Sequence, residues 1–256
     1  MSEYIITESD DNILRIEINR PKKRNAINRD MYRAMTEAIN KGDEDPSIRV
    51  ILLHGQKDNF TAGNDLKDFQ SPPPSDGSNP GGDFMKVISN AKKPLIAAVG
   101  GYVVGIGATM LFHFDLVYAA NNTKFQLPFV SLGLCPEFGS GFLLPRLAGY
   151  HRAAELFYFG DFFSAQDAYK IGLVNKIFSE QNLLEKTMVE AQRLAKQPPA
   201  SVRLTKSLMK RHIPVNLNEI IMYEGAQFMR RTNSPEAKEA FAAFYQRRKP
   251  DFSRFH

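Results

Sequence analysis

The chain has 256 residues, 43% of them hydrophobic, enough for one large domain with a sizeable core or for two small ones. Its formal charge of +5 lies partly in short basic runs, Lys22-Lys23-Arg24 and Arg247-Arg248-Lys249. That suits an anionic small ligand and is too small and dispersed to argue for nucleic acid. One cysteine, Cys135, can form neither an intrachain disulfide nor a Cys-rich zinc site, and no apolar run reaches membrane length.

In chain order, Tyr4–Thr7 and Ile13–Ile18 alternate with the period of strands, and Asp10-Asp11-Asn12 between them reads as a hairpin turn. The start, MSEYIITESDD, is acidic and polar, unlike a signal or transit peptide, and Ser253–His256 does not read as a peroxisomal address. The expectation is a cytoplasmic protein. A basic connector, Asn19–Asn25, leads to a helix over about residues 28–40, with Met31, Met35, Ala38 and Ile39 on one face and Gly42 at its end. Val50–His54 is a short buried strand. Asn59–Leu66 is a small-residue turn whose N–H groups could face a ligand. Ser71–Gly82, with three successive prolines, is expected to lack regular structure and to act as a lid or a tolerated insertion.

Leu95–Val99 is a buried strand followed by Gly100-Gly101, and then Gly105 and Gly107 flank Ile106. Glycines at that spacing let a backbone approach a ligand closely. The apolar helix expected next would offer its first N–H groups to an oxygen carrying negative charge. Glu137, set in Leu134-Cys135-Pro136-Glu137-Phe138-Gly139, is the carboxylate expected to face the same pocket and move a proton. Ala153–Phe159, the capped segment from Ser164 to Gly172 and Leu183–Ala195 read as helices, with Leu173–Ile177 as a last strand. Beyond Pro198-Pro199 everything reads as helix, and Ser234 with Pro235 starts the last one, with Ala237, Phe241, Phe244 and Tyr245 on its apolar face. Strands and helices alternating up to about residue 178 argue for an α/β domain with crossover helices, and the expected division is a core over residues 1–200 with a helical region over 201–256. None of the five histidines sits in a motif; His54 and His113 read as satisfied core residues, the others as exposed.

At these residues the chain resembles the crotonase superfamily, the enoyl-CoA hydratase/isomerase family. The resemblance rests on Asn19-Arg20-Pro21-Lys22 with Asn25-Ala26, on Phe60–Leu66, on Lys93–Val99 through Gly105-Ile106-Gly107, and on Phe162–Val174. It implies a spiral of ββα turns, a helical tail that makes a homotrimer or dimer of trimers, and an acyl-CoA thioester as substrate. No metal and no cofactor beyond the coenzyme A of the substrate are implied, and no nucleic-acid or membrane partner. Carried over by position, the thioester oxygen would sit between the N–H groups of Asn64 and Ile106. Lys22, Lys23 and Arg24 would lie near the nucleotide end. Ala62, Gly63, Asn64, Asp65 and Leu66 would hold the adenine and pantetheine arm, with Gly105 beside Ile106, and Phe244 and Arg247 would approach from the tail.

Family hydratases carry two glutamates where this chain has Thr109 and Phe129. The remaining Pro136-Glu137 pair resembles Δ3,Δ2-enoyl-CoA isomerases of the peroxisomal type. One carboxylate suffices to take a proton from C2 and return it at C4, whereas hydration favours two. The alternatives are a hydratase using Glu137, another acyl-CoA enzyme of this superfamily, or a non-catalytic acyl-CoA-binding scaffold. A dinucleotide site on Gly105-x-Gly107 would lack its third glycine. Pocket depth would depend on residues such as Phe84, Val87, Phe112 and Phe129.

Overall fold

The computed structural model describes residues 2–56, 58–70, 74–211, 216–253 and 255. The chain opens as a hairpin of Ile5–Asp10 (β1) and Ile13–Ile18 (β2), with Asp10 opposite Ile13. Asp11 and Asn12 both have positive φ, 49° and 65°, the turn geometry that matches strand twist and that Asp and Asn tolerate. The first strand therefore runs past the expected end at Thr7, and the turn is two residues rather than three.

Arg29–Glu44 (α1) starts at Asn28, whose side chain accepts the Met31 N–H. Met31, Tyr32, Met35, Ala38 and Ile39 form its buried face. Gly42, expected at the helix end, lies inside it. A Cβ there would stand 2.5 Å from Leu14 Cδ2, so this glycine lets the helix press on β2. The Lys93 ammonium closes the helix end by donating to the carbonyls of Gly42 at 2.7 Å and Asp45 at 2.5 Å, where a cation suits the helix dipole.

The remaining elements are Val50–His54 (β3), Asn59–Thr61 (β4), Leu66–Gln70 (α2), Pro80–Asn90 (α3), Leu95–Val99 (β5), Tyr102–Val104 (β6), Ile106–Thr109 (α4), Leu116–Ala120 (β7) and Lys124–Gln126 (β8), then Ser140–Ala148 (α5), Tyr150–Phe159 (α6), Phe163–Ser164 (β9), Ala165–Lys170 (α7), Lys176–Phe178 (β10), Leu183–Ala195 (α8), Pro199–Arg211 (α9), Leu217–Thr232 (α10) and Pro235–Tyr245 (α11). Two sheets result, one ordered β1-β2-β3-β5-β7-β10 and the other β4-β6-β8-β9. The pairs β3/β4, β5/β6 and β7/β8 each put one strand in each sheet before the chain turns back, so the chain winds as a spiral of ββα character. Gly101 makes one corner possible: its φ is 61°, and a Cβ would lie 1.8 Å from the Asp58 carbonyl oxygen.

β3 and β5 are central and buried on both faces, which is why their sequences are unbroken apolar runs. Ile51, Leu53, Leu95 and Ala97 join the main core with α1 and α3, while Val50, Leu52, Ile96 and Ala98 pack with Leu183, Ala191 and Ala195 of α8. Several expectations need correction. Helix α3 already begins at Pro80, capped by Asn79, so only part of Ser71–Gly82 is irregular; Ser71–Pro73 lie outside the described residues. The last strand is Lys176–Phe178, because Leu173 and Val174 belong to the turn that ends α7. On α11, Ala237, Ala240, Phe241 and Ala243 are buried, while Phe244 and Tyr245 are exposed. His151 is exposed; His212 and the last-residue reading at Arg254 and His256 lie outside the described residues.

Candidate active site

The Asn19–Asn25 connector is built around the Asn25 side chain. Its amide donates to the carbonyls of Ile18, Asn59 and Phe60, and its oxygen accepts the Arg20 N–H. The Thr61 hydroxyl then donates to the Asn25 carbonyl and accepts the Gly63 N–H. These bonds fix the Ala62–Leu66 segment against β2 and β4. They also settle most of its donors. Ala62 N–H goes to the Arg24 carbonyl, Gly63 N–H to Thr61, and Asp65 N–H to the Ile27 carbonyl. Asn64 bridges Ile27 through its neighbours' groups, so its own N–H points the other way. The expected ligand-holding role of the whole segment therefore narrows, as far as N–H groups of residues 62–65 go, to Asn64.

Asp65 is not a free ligand group. Its carboxylate pairs with Arg20 at 2.8 Å and accepts the Lys67 N–H. Burial would raise its pKa, but these bonds and the charges of Arg20 and Lys23 hold it below the usual carboxylate value. Lys22, Lys23 and Arg24 lie exposed on the turn at Pro21–Lys23, beside this segment. Phe244 and Arg247 lie exposed at the end of α11, and no hydrogen bond or ion pair among the described residues joins them to that turn.

The second glycine segment follows β6, which pairs parallel with β4, so both segments emerge side by side. Gly63 packs on the Val104 carbonyl, and a Cβ on Gly107 would stand 2.3 Å from Thr61 Cγ2. Gly105 has φ 57° and ψ −121°, a conformation only glycine adopts readily, and its N–H donates to the Gln126 carbonyl. The expected apolar helix is one α-turn, Ile106–Thr109, tightened into a 3-10 turn over Met110–His113. Among the described residues nothing accepts the Ile106 and Gly107 N–H groups, as befits the first positions of a helix.

Glu137 is buried, 2% exposed. The Thr109 hydroxyl donates to its Oε1 at 2.5 Å, and its Oε2 is enclosed with no partner among the described residues. Burial pushes its pKa up to about 8; the Thr109 hydrogen bond opposes the rise and the charge of Glu224 adds to it. The backbone around it is held rigidly. Ser140 donates through N–H and hydroxyl to the Glu137 carbonyl, at 3.1 and 2.6 Å. Phe138 adopts φ 61°, and His113 holds it by stacking at 4.0 Å and bonding its carbonyl through Nε2 at 2.7 Å. Burial lowers the His113 pKa to about 4, so the ring is neutral with its proton on the nitrogen that faces the carbonyl. It is a satisfied core histidine, and so is His54, whose Nδ1 lies 2.9 Å from the Gly55 carbonyl.

One further side chain reaches the first segment. Tyr32, from α1, donates to the Asn64 side-chain oxygen and packs on Phe84 with ring centroids 5.2 Å apart. Its pKa is well above the usual value, through burial first, then the charges of Glu137 and Asp68. Hydrogen bonds therefore link Asn64 to Tyr32 and Glu137 through Thr109 to Ile106, and the charge of Glu137 is felt at Tyr32 between the two pairs. Thr109, Tyr32 and Glu224 were not anticipated. Thr109 was read only as an absent carboxylate, and Tyr32 looks like any apolar helix position. Phe129 lies buried between Phe157 and Phe228, closing the second hydratase position with aromatic rings. A cavity of about 620 Å³ lies elsewhere, between α3, α9 and α10, with Lys92, Arg203 and Lys210 on its walls.

No described helix is long and apolar enough to cross a membrane. The sequence model of the family described as "Enoyl-CoA hydratase/isomerase" matches residues 8–254. A crotonyl-CoA hydratase of Syntrophomonas wolfei is 33% identical over 98% of both chains. The human enoyl-CoA delta isomerase 2 is 33% identical over 96% of this chain, which spans 64% of that longer protein. A crystal structure of an enoyl-CoA hydratase/isomerase from Pseudoalteromonas atlantica is 35% identical and superposes with a TM-score of 0.94, over 98% of this chain and 100% of that one.

Proposed function

The chain belongs to the enoyl-CoA hydratase/isomerase family, and on that premise we propose that it moves the double bond of a 3-enoyl-CoA to the 2-trans position, as a Δ3,Δ2-enoyl-CoA isomerase of fatty-acid β-oxidation. The observation that carries this reading is the Glu137 carboxylate: buried, with one oxygen held by Thr109 and the other unpartnered among the described residues. The thioester oxygen accepts the N–H groups of Asn64 and Ile106. Glu137 takes a proton from C2, and the electrons pass into an enolate conjugated with the C3–C4 double bond. The same carboxyl then delivers that proton to C4, leaving the double bond at C2–C3. A base with a pKa near the working pH serves both steps. Each backbone donor fixed before charge develops stabilises the transition state by roughly 3 kcal/mol. The reaction so written uses no metal and no cofactor beyond the coenzyme A of the substrate.

Lys22, Lys23 and Arg24 would meet the nucleotide phosphates from their exposed turn, with Phe244 and Arg247 approaching from the tail. Exposed Leu204, Met209, Met222 and Tyr223 on α9 and α10 support association into a homotrimer or dimer of trimers. A second reading, hydration of a 2-enoyl-CoA, draws on the charge that Glu224 exerts on Glu137. One experiment separates them. Turnover of 3-hexenoyl-CoA and hydration of 2-butenoyl-CoA are measured for the wild type and Glu137→Gln. Isomerisation should dominate and fall roughly a hundredfold or more in kcat in the variant, with binding largely kept. Faster hydration than isomerisation overturns the proposal. Acyl-CoA binding without turnover of either substrate identifies a scaffold.

A further inference from the structure

Glu137 stands just ahead of α5, and a helix start carries unsatisfied N–H groups and a partial positive charge. A carboxylate so placed would ordinarily become more acidic. Here the Ser140 N–H goes to the Glu137 carbonyl and the Phe142 N–H to the Gly139 carbonyl, and the carboxylate set against this amide end is a different one. Glu224 reaches over from α10; burial pushes its carboxyl up to about 7, and the backbone N–H groups of Gly139, Gly141, Ser140 and Phe142 keep it from rising further. Gly141 makes the approach possible, since a Cβ there would stand 2.8 Å from Glu224 Oε1. Among the described residues the other oxygen of Glu224 has no partner, like that of Glu137.

We propose that Glu224 is a positioning residue that keeps Glu137 a strong base: it occupies the amide end of α5 and denies that stabilisation to the Glu137 carboxylate. The inference rests on the reading of Glu137 as the proton-transfer group. Other groups around the pair are accounted for. Tyr32 from α1, itself under the charge of Asp68, and Thr109 from α4 face Glu137. Cys135 lies beside both carboxylates, and its thiol is raised by burial, then by Glu224. Arg231 is the cation that acts there, and it is engaged with Glu236 and the Gly133 carbonyl. His113 is neutral and tied to Phe138.

The test compares kcat against pH for the wild type, Glu224→Gln, Glu224→Asp and Gly141→Ala, with melting temperatures to establish folding. In parallel, the infrared C=O band of protonated Glu137, assigned by its loss in Glu137→Gln, is titrated. Glu224→Gln should move the acid limb and the infrared titration down together by about one pH unit. The high-pH plateau of kcat should fall several-fold as the base weakens. Gly141→Ala, which pushes the carboxylate off the amides while keeping its charge, should shift both the same way, and Glu224→Asp should restore part of the wild-type position. Folded variants whose limb and band stay where the wild type has them overturn the inference. If Glu224→Gln does not fold, Gly141→Ala decides alone. Absence of wild-type turnover would instead strike at the reading of the site, and the infrared titration would still decide the role of Glu224.

Discussion

Glu137→Gln should make the protein more stable, and increasingly so as pH rises. In the folded chain burial lifts the carboxyl from 4.5 to about 8. Between those values the unfolded chain has released the proton and the folded chain still holds it. Stability therefore falls as pH rises from about 5 and levels off above the folded value. At 1.36 kcal/mol per pH unit, the full penalty is roughly 3–5 kcal/mol. Glutamine cannot ionise and still offers an oxygen to the Thr109 hydroxyl, so the variant escapes this loss. Glu224, lifted to about 7 by burial, acts in the same direction and remains in the variant, so its slope should be reduced rather than abolished. Urea unfolding at pH 5, 7 and 9 for both proteins measures the gap. It should be small at pH 5 and open to a few kcal/mol at pH 9. A gap that stays constant would mean that Glu137 titrates normally in the fold, and the case for a buried base would fail.

Thr109→Val removes the hydrogen bond that favours charged Glu137, so the acid limb of kcat should move up by about one pH unit, opposite to the effect expected of Glu224→Gln. Unchanged kcat–pH profiles would show that the Thr109 hydroxyl does not act on the reacting proton. Gly105→Ala forces a side chain onto φ 57° and ψ −121°, a strain of roughly 1–3 kcal/mol. Displacement of the Ile106 N–H should then lower kcat roughly tenfold to a hundredfold with little change in KM, read by steady-state kinetics.

The elements that declared themselves in the sequence are those whose periodicity answers to the local chain. β2, β3, β5 and α8 lie where alternation, apolar runs and helical spacing put them. The second sheet was hidden, because β4, β6 and β8 are three residues each and pair with strands about 20–40 positions away. Gly42 misled because the same residue serves a helix end or a close packing contact, and only the position of Leu14 decides. At the site, Asn64 and Ile106 were named through the family resemblance, and Glu137 as a carboxylate in an apolar setting. Their supports were not. Tyr32 is 32 positions from Asn64, and Thr109 is 28 from Glu137, so nothing local marks either pair.

Glu224 was missed for the same reason, and it bears on the count of acids that separates isomerisation from hydration. A second carboxylate changes the chemistry only if it can reach the substrate independently of the first. The contacts of the two acids differ in this respect. Glu137 is joined through Thr109 to the turn that carries the Ile106 N–H, and its charge acts on Tyr32, which holds Asn64. Glu224 lies under the N–H groups of Gly139 and the first turn of α5 and acts on Glu137 and Cys135. An acid placed behind another acid can raise the basicity of the first, yet it does not supply a second proton across a double bond held at those donors. Under the proposed reading, Glu137 is then the one proton-transfer position, with a half-buried carboxylate acting on it, as a 1,3-shift along one face of an acyl chain requires.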